Sequence, residues 1–190
     1  MRTLASFIVT SLDGFYEGPN GEFDWPIVDE EFKGFAIRQL DEADTLGFGR
    51  ATYEHMAAYW PTDQAQAQAN DPAIASRMNT KPKLVFSTAL DHASWSSTVI
   101  LDGEAVERIE ALKTAPDGEL LVIGSAHLTA CFVAAGVLDE LRIMVCPIAI
   151  GQGRSLFEDL KDRVALSLAH VRQFDSGNVL LTYRPSPQAR

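Results

Sequence analysis

The chain has 190 residues, 46% of them hydrophobic and 22% charged, with a formal net charge of −10. That balance predicts one globular domain with a sizeable core, and the acidic charge without any basic run speaks against a nucleic-acid partner. No apolar run approaches the roughly 20 residues of a membrane span, so the chain reads as a cytoplasmic protein that binds neither nucleic acid nor membrane. A small phosphorylated ligand stays open, since one or two placed donors suffice for it.

Residues 3–10, rich in β-branched and apolar side chains, predict a first strand; no small-residue cleavage site follows, so a signal peptide is not expected. Ser11-Leu12-Asp13-Gly14 leads into a loop with turn signals at Gly18-Pro19-Asn20-Gly21, closed by Phe23-Asp24-Trp25-Pro26. Val28, Phe32, Phe35, Ala36 and Leu40 recur at helical spacing behind Asp29-Glu30-Glu31, predicting a helix over 29–42 with acidic residues at the positive end of its dipole. Residues 45–48 predict a short strand that Gly49-Arg50-Ala51-Thr52-Tyr53-Glu54 turns into a helix reaching Tyr59, stopped by Trp60-Pro61. Residues 62–70, rich in Gln and Ala and without a period, read as a mobile excursion. Pro72 then opens a short helix, residues 83–87 and 98–101 predict strands, and 104–113 a helix with Val106, Ile109 and Leu112 inward.

Leu120 to Ile123 is an unbroken apolar run between Gly118 and Gly124, which suits a strand buried on both faces. Leu128, Cys131, Phe132 and Ala135 follow at helical spacing, and Gly136 stands where a helix stop belongs. Residues 138–146 predict a long strand ending at Pro147, then a loop over 150–154 in which Gly151 and Gly153 serve the turn. Residues 165–171 and 179–183 bracket a hairpin at Asp175-Ser176-Gly177-Asn178. Residues 1–185 thus form one domain and 186–190 a frayed tail, with fraying setting in from Pro185. Strands alternating with helices and then an antiparallel ending give the α/β class with a mixed sheet. Cys131 and Cys146 read as buried free thiols.

The four histidines are scattered without a ligand spacing, so no metal site is expected. Glu54-His55 lacks the second histidine of a zinc protease, and Gly124-Ser125-Ala126 lacks the flanks of a nucleophile elbow. A repeated device remains. Phe48-Gly49-Arg50-Ala51-Thr52 and Ile123-Gly124-Ser125 each place a glycine between a strand end and a helix start, where free N–H groups and the helix dipole favour an anion. Two such starts side by side would cradle a diphosphate, Arg50 could add a charge-assisted contact, and Ser87-Thr88 ends a third strand.

In this order, Ser11-Leu12-Asp13-Gly14, Gly49-Arg50-Ala51-Thr52-Tyr53-Glu54, Val85-Phe86-Ser87, Val122-Ile123-Gly124-Ser125, Leu138-Asp139-Glu140-Leu141 and Pro147-Ile148-Ala149-Ile150-Gly151-Gln152-Gly153-Arg154 resemble the dihydrofolate-reductase-like family. The branch it is most similar to is the reductase domain of the bifunctional riboflavin-biosynthesis deaminase–reductase. The resemblance implies a single α/β domain with a mixed central sheet flanked by helices, binding NADPH. NADH stays open, since Thr88 stands where relatives often carry arginine. It also implies hydride transfer to a small heterocycle of pteridine or pyrimidine type, or to a derived carbonyl or imine. Phe48, Gly49, Arg50 and Thr52 would hold phosphates, with Arg50, Ser87 and Thr88 near the adenosine ribose. Ile123, Gly124, Ser125, Leu128 and Thr129 would line the pyrophosphate and nicotinamide. Asp13 would orient substrate or relay a proton. Trp25, read from the residues themselves, either packs on the first helix or stacks on a flat heterocyclic substrate. A homodimer, with residues 141–146 as a candidate contact, is implied by the resemblance as well. The alternative is a non-catalytic nucleotide-binding or dimerisation module with the same fold.

Overall fold

The computed structural model describes residues 1–67, 71–116 and 118–186. Its strands are Thr3–Ser11 (β1), Phe15–Glu17 (β2), Thr45–Gly49 (β3), Lys83–Phe86 (β4), Thr98–Leu101 (β5), Glu119–Ile123 (β6), Glu140–Cys146 (β7), Arg154–Ser155 (β8), Leu166–Gln173 (β9) and Val179–Pro185 (β10). The helices are Glu30–Glu42 (α1), Arg50–Tyr59 (α2), Asp63–Gln66 (α3), Pro72–Thr80 (α4), Ala105–Lys113 (α5) and Ala126–Ala134 (α6). Eight strands form one sheet in the order β5-β4-β3-β6-β1-β7-β10-β9. The first six of these run parallel, and the β9–β10 hairpin closes the sheet antiparallel to β7.

Two apolar layers hold the sheet. On one face Phe7 meets Phe35 at 5.4 Å, joined by Phe32, Leu46, Phe48 and Leu121. On the other, Leu4, Val122, Phe132 and Leu141 pack beneath α5 and α6. The inner strands β1 and β6 serve both layers, which is why their sequences read as continuous apolar runs. Helix α1 starts where the Asp29 carboxylate accepts the Phe32 N–H at 2.7 Å. It buries Phe32, Phe35, Ala36, Gln39 and Leu40, one stripe at helical period. Gly136, at φ +69, ends α6 as the sequence pattern predicts. Its N–H donates to Val133 O and that of Val137 to Phe132 O, the paired bonds of a Schellman stop.

Several sequence-level expectations are corrected. The stretch 62–70 is not featureless: Thr62 caps the short helix α3, and Ala65 is fully buried; residues 68–70 lie outside the described residues. Cys131 is half-buried rather than core, and Ala135 is exposed, because α6 turns Ala126, Leu128, Thr129, Ala130, Phe132 and Val133 inward instead. The stretch after Asp13 and the Gly153 loop also pair, as β2 with β8; a Cβ on Gly153 would overlap the Glu17 carbonyl. Fraying does not begin at Pro185, since Pro185 belongs to β10 and the Ser186 N–H donates to Ala165 O at 3.0 Å; residues 187–190 lie outside the described residues. Residues 141–146 lie in β7, which is hydrogen-bonded on both sides, to β1 and β10, so a contact with a second copy there would use a face of the sheet and not an edge. The edge strand on that side is β9.

Candidate active site

The parallel strands deliver all their carboxyl ends to one rim. Chain order builds outward from β1 through β3, β4 and β5, then returns to insert β6 between β3 and β1. That reversal is the point at which open α/β sheets form a ligand crevice. Gly49 ends β3 and Ile123-Gly124 ends β6, on neighbouring strands, so the two glycine-led helix starts face each other.

They are joined directly. The Gly49 N–H donates to Ser125 Oγ at 2.8 Å, and the Ser125 N–H donates to Thr52 Oγ1 at 3.0 Å. The crossing requires a tight backbone: Gly124 has φ +63 and Ser125 has φ +50, two consecutive residues in the left-handed region. For a residue with a side chain that conformation costs about 1–2 kcal/mol, and the reciprocal hydrogen bonds offset it. Gly124 is required for space as well, since a Cβ there would lie 2.9 Å from Thr52 Cγ2.

Neither helix is capped by its own side chain. Gly49 has none to offer, and the Ser125 hydroxyl is committed across the gap to Gly49. The first turns of α2 and α6 therefore keep N–H groups and positive dipole ends for something else. Arg50 adds a full charge at the first position of α2. Its guanidinium is half exposed and paired with Glu54 at 3.1 Å. On the neighbouring strand end, Ser87 Oγ accepts from the Ala89 and Leu90 N–H groups at 3.1 Å each, fixing the turn after β4, and Thr88 is exposed beside it.

On the other side of β6 lies the end of β1. The Asp13 carboxylate accepts from Ser11 Oγ (2.6 Å), the Gly151 N–H (2.8 Å) and the Ile150 N–H (3.2 Å), clipping the loop after β1 to the loop after β7. The Ser11 hydroxyl, and after it the Gly151 N–H, hold this carboxyl below its ordinary pKa. Beyond it, the 18–25 loop and residues 148–152 line an open cavity of about 540 Å3 beside Trp25, whose ring meets Phe23 edge-on at 5.4 Å. Among the described residues no group of three His, Cys, Asp or Glu could hold a metal ion, and no helix is long and apolar enough to cross a membrane.

This geometry can be set beside known proteins. The model of the RibD C-terminal domain family matches residues 2–180. The uncharacterized protein YyaP of Bacillus subtilis (strain 168) is 31% identical over 182 residues, covering 96% of this chain and 94% of its own. The chain belongs to the RibD C-terminal domain family. Among solved structures, a deaminase/5-amino-6-(5-phosphoribosylamino)uracil reductase from Thermotoga maritima superposes with a TM-score of 0.69 at 13% identity, over 97% of this chain and 57% of that one. Dihydrofolate reductase from Enterococcus faecalis, complexed with NADP(H), superposes with a TM-score of 0.61 at 18% identity, over 97% of both chains. At these identities the likeness shows the fold: a dihydrofolate-reductase-like α/β domain.

Within this RibD C-terminal domain, the structure brings Gly49, Arg50, Thr52, Gly124 and Ser125 to one point, with Ser87 and Thr88 at the end of the strand next to β3 on the same rim. It does not bring the side chains of Phe48, Leu128 or Thr129 there. Phe48 is fully buried at 5.9 Å from the Trp95 ring, and Leu128 packs into the layer under α6. The Thr129 hydroxyl is buried against Ser6 Oγ at 2.6 Å, tying α6 to β1. Ile123 is half-buried behind the Gly124 turn. The Thr52 hydroxyl oxygen is also the acceptor that holds the Gly124-Ser125 turn. Of the acids before α1, Asp29 caps the helix, Glu30 pairs with Lys33, and Glu31 binds Arg172 at 2.6 Å and the Asp175 N–H at 3.0 Å. Sequence reasoning missed Asp24 and Gln152 beside Trp25. Only the turn residues around them mark the loops, and nothing local says that two loops 130 residues apart line one cavity.

Proposed function

We propose that this RibD C-terminal domain is an NADPH-dependent reductase that delivers hydride to a small heterocycle of pteridine or pyrimidine type, or to a carbonyl or imine derived from one. The observation that carries this reading is the pair of uncapped helix starts, hydrogen-bonded together through Gly49, Ser125 and Thr52 at the switch point of the sheet. Their first-turn N–H groups and dipoles suit a diphosphate, and Arg50 suits a further phosphate on the ribose. Family membership and the reductase names of the fold neighbours support the same reading.

The bound nicotinamide would supply the hydride. The chain's share is to fix the diphosphate at α2 and α6, to hold the rim loops together through Asp13, and to seat the acceptor in the cavity beside Trp25. Asp13 stays ionised and engaged at neutral pH, so it serves as a loop clip rather than a proton relay. That engagement is the one observation favouring a non-catalytic nucleotide-binding module of the same fold.

Thermal unfolding with NADPH, NADP, NADH and NAD side by side tests the reading. A nucleotide at a hundredfold its dissociation constant adds about 2.7 kcal/mol of stability. NADPH should raise the melting temperature most, and Arg50→Ala should remove most of that shift. No shift with any nucleotide contradicts the proposal. A shift without NADPH oxidation in the presence of dihydropteridines or aminopyrimidines favours the module.

A further inference from the structure

The cavity between the 18–25 loop and residues 148–152 sits over the end of β7, separated from the helix starts by β1 alone. On the reductase reading it is the acceptor's place, and its walls then say what kind of acceptor fits. Among the described residues lining it there is no lysine or arginine; the charged ones are Glu22 and Asp24. Glu22 is bound into its own loop, accepting from the Asn20 N–H at 2.8 Å and from Asn20 Nδ2 at 2.7 Å. Asp24 is exposed and makes no hydrogen bond or ion pair among the described residues, so its carboxylate is free to accept. Asp13 adds a third carboxylate under the same loop, bound to the backbone of Ile150 and Gly151. Arg154, in the strand β8 that follows residues 148–152, is paired with Glu17 at 3.0 Å and Glu158 at 3.1 Å. Trp25 supplies a flat wall on which a planar ring can stack, while its indole N–H is buried and makes no hydrogen bond among the described residues.

We infer that the acceptor pocket selects an unphosphorylated, uncharged or cationic amino-substituted heterocycle, and rejects the phosphoribosyl type of substrate for which the Thermotoga maritima fold neighbour is named. Phosphate recognition needs cations or free backbone N–H groups. Here a phosphate dianion would meet carboxylates instead, while an amino group on the ring would meet Asp24. The inference rests on the reductase reading for the cavity's role, but binding tests it independently of turnover.

The experiment is calorimetric titration of the NADPH-loaded protein with a matched pair, 5-amino-6-ribitylaminouracil and its 5′-phosphate, at low and high salt. The unphosphorylated compound should bind at least about tenfold more tightly, and the gap should narrow as salt screens the carboxylates. Asp24→Lys, an exposed loop change that leaves the core intact, should close or invert the preference. Tighter binding of the phosphate ester, or an unchanged preference in Asp24→Lys, overturns the inference. Failure of both compounds to bind while NADPH binds overturns it too. Failure of NADPH itself to bind would instead strike the reductase reading, and the same titration without nucleotide would then decide the charge preference.

Discussion

Arg50 occupies a position where a cation works against its own helix, because the first turn of α2 already carries the positive end of the dipole. The Glu54 pair offsets part of that, and an exposed i,i+4 pair contributes only about 0.3–0.5 kcal/mol. Such a residue is explained by an anion that is sometimes present. Arg50→Ala should therefore change stability by less than about 0.5 kcal/mol in urea unfolding, while NADPH affinity falls by about tenfold or more, the effect of one lost charge-assisted contact. A large loss of stability would make Arg50 a structural residue. Lys83 is the opposite case. It is fully buried at the start of β4, donating to Lys81 O (2.8 Å), Ser96 O (3.0 Å) and Asn79 O (3.2 Å), with the Trp95 ring 4.5 Å away. Burial pushes its pKa down to about 8, while the three carbonyls and the indole face favour the ammonium. Lys83→Met leaves those carbonyls without their donor and should cost about 1–3 kcal/mol by urea unfolding. A more stable variant would mean that the buried charge costs more than its partners return.

At the scale of elements, the Gly124-Ser125 turn is the joint between α2 and α6. Gly124→Ala forces a Cβ onto Thr52 in a left-handed backbone, so it should destabilise the fold by about 1–2 kcal/mol. It should also weaken NADPH binding, because the Thr52 acceptor is displaced. Unchanged binding would separate the turn from the site. Helix α1 makes a pH prediction. The Phe32 N–H holds the Asp29 carboxyl below its usual 3.8, and the Asp175 N–H, then Arg172, hold Glu31 below its usual 4.5. Groups with depressed native values stabilise the fold fully above their unfolded pKa, and that stability is lost as pH falls through the native value. The melting temperature should be level above about pH 5 and fall below pH 4, with a shallower fall in Asp29→Asn/Glu31→Gln. An equal fall in that variant would place the acid sensitivity elsewhere.

For the whole molecule, what the sequence made legible was local. The glycine between a strand end and a helix start, the acidic first turn of α1 and the Gly136 stop are each encoded within a few residues, and each folds as those residues require. What escaped was set by distance. Pairing of Phe15 with Ser155, the inner position of β7 and the cavity shared by Trp25 and Gln152 all depend on sheet order, which the crossovers decide and no local period records. The side-chain directions of Leu128 and Thr129 escaped for another reason. Helix α6 is apolar around most of its circumference, so spacing alone could not say which residues turn toward the rim and which toward β1. The central claim is that two helix starts, braced against each other, hold one diphosphate. Backbone amide NMR during titration with NADPH reads those N–H groups one by one. The account predicts that the largest shifts fall together in residues 49–52 and 124–128. Shifts confined to one of the two segments, or centred elsewhere on the chain, would contradict it.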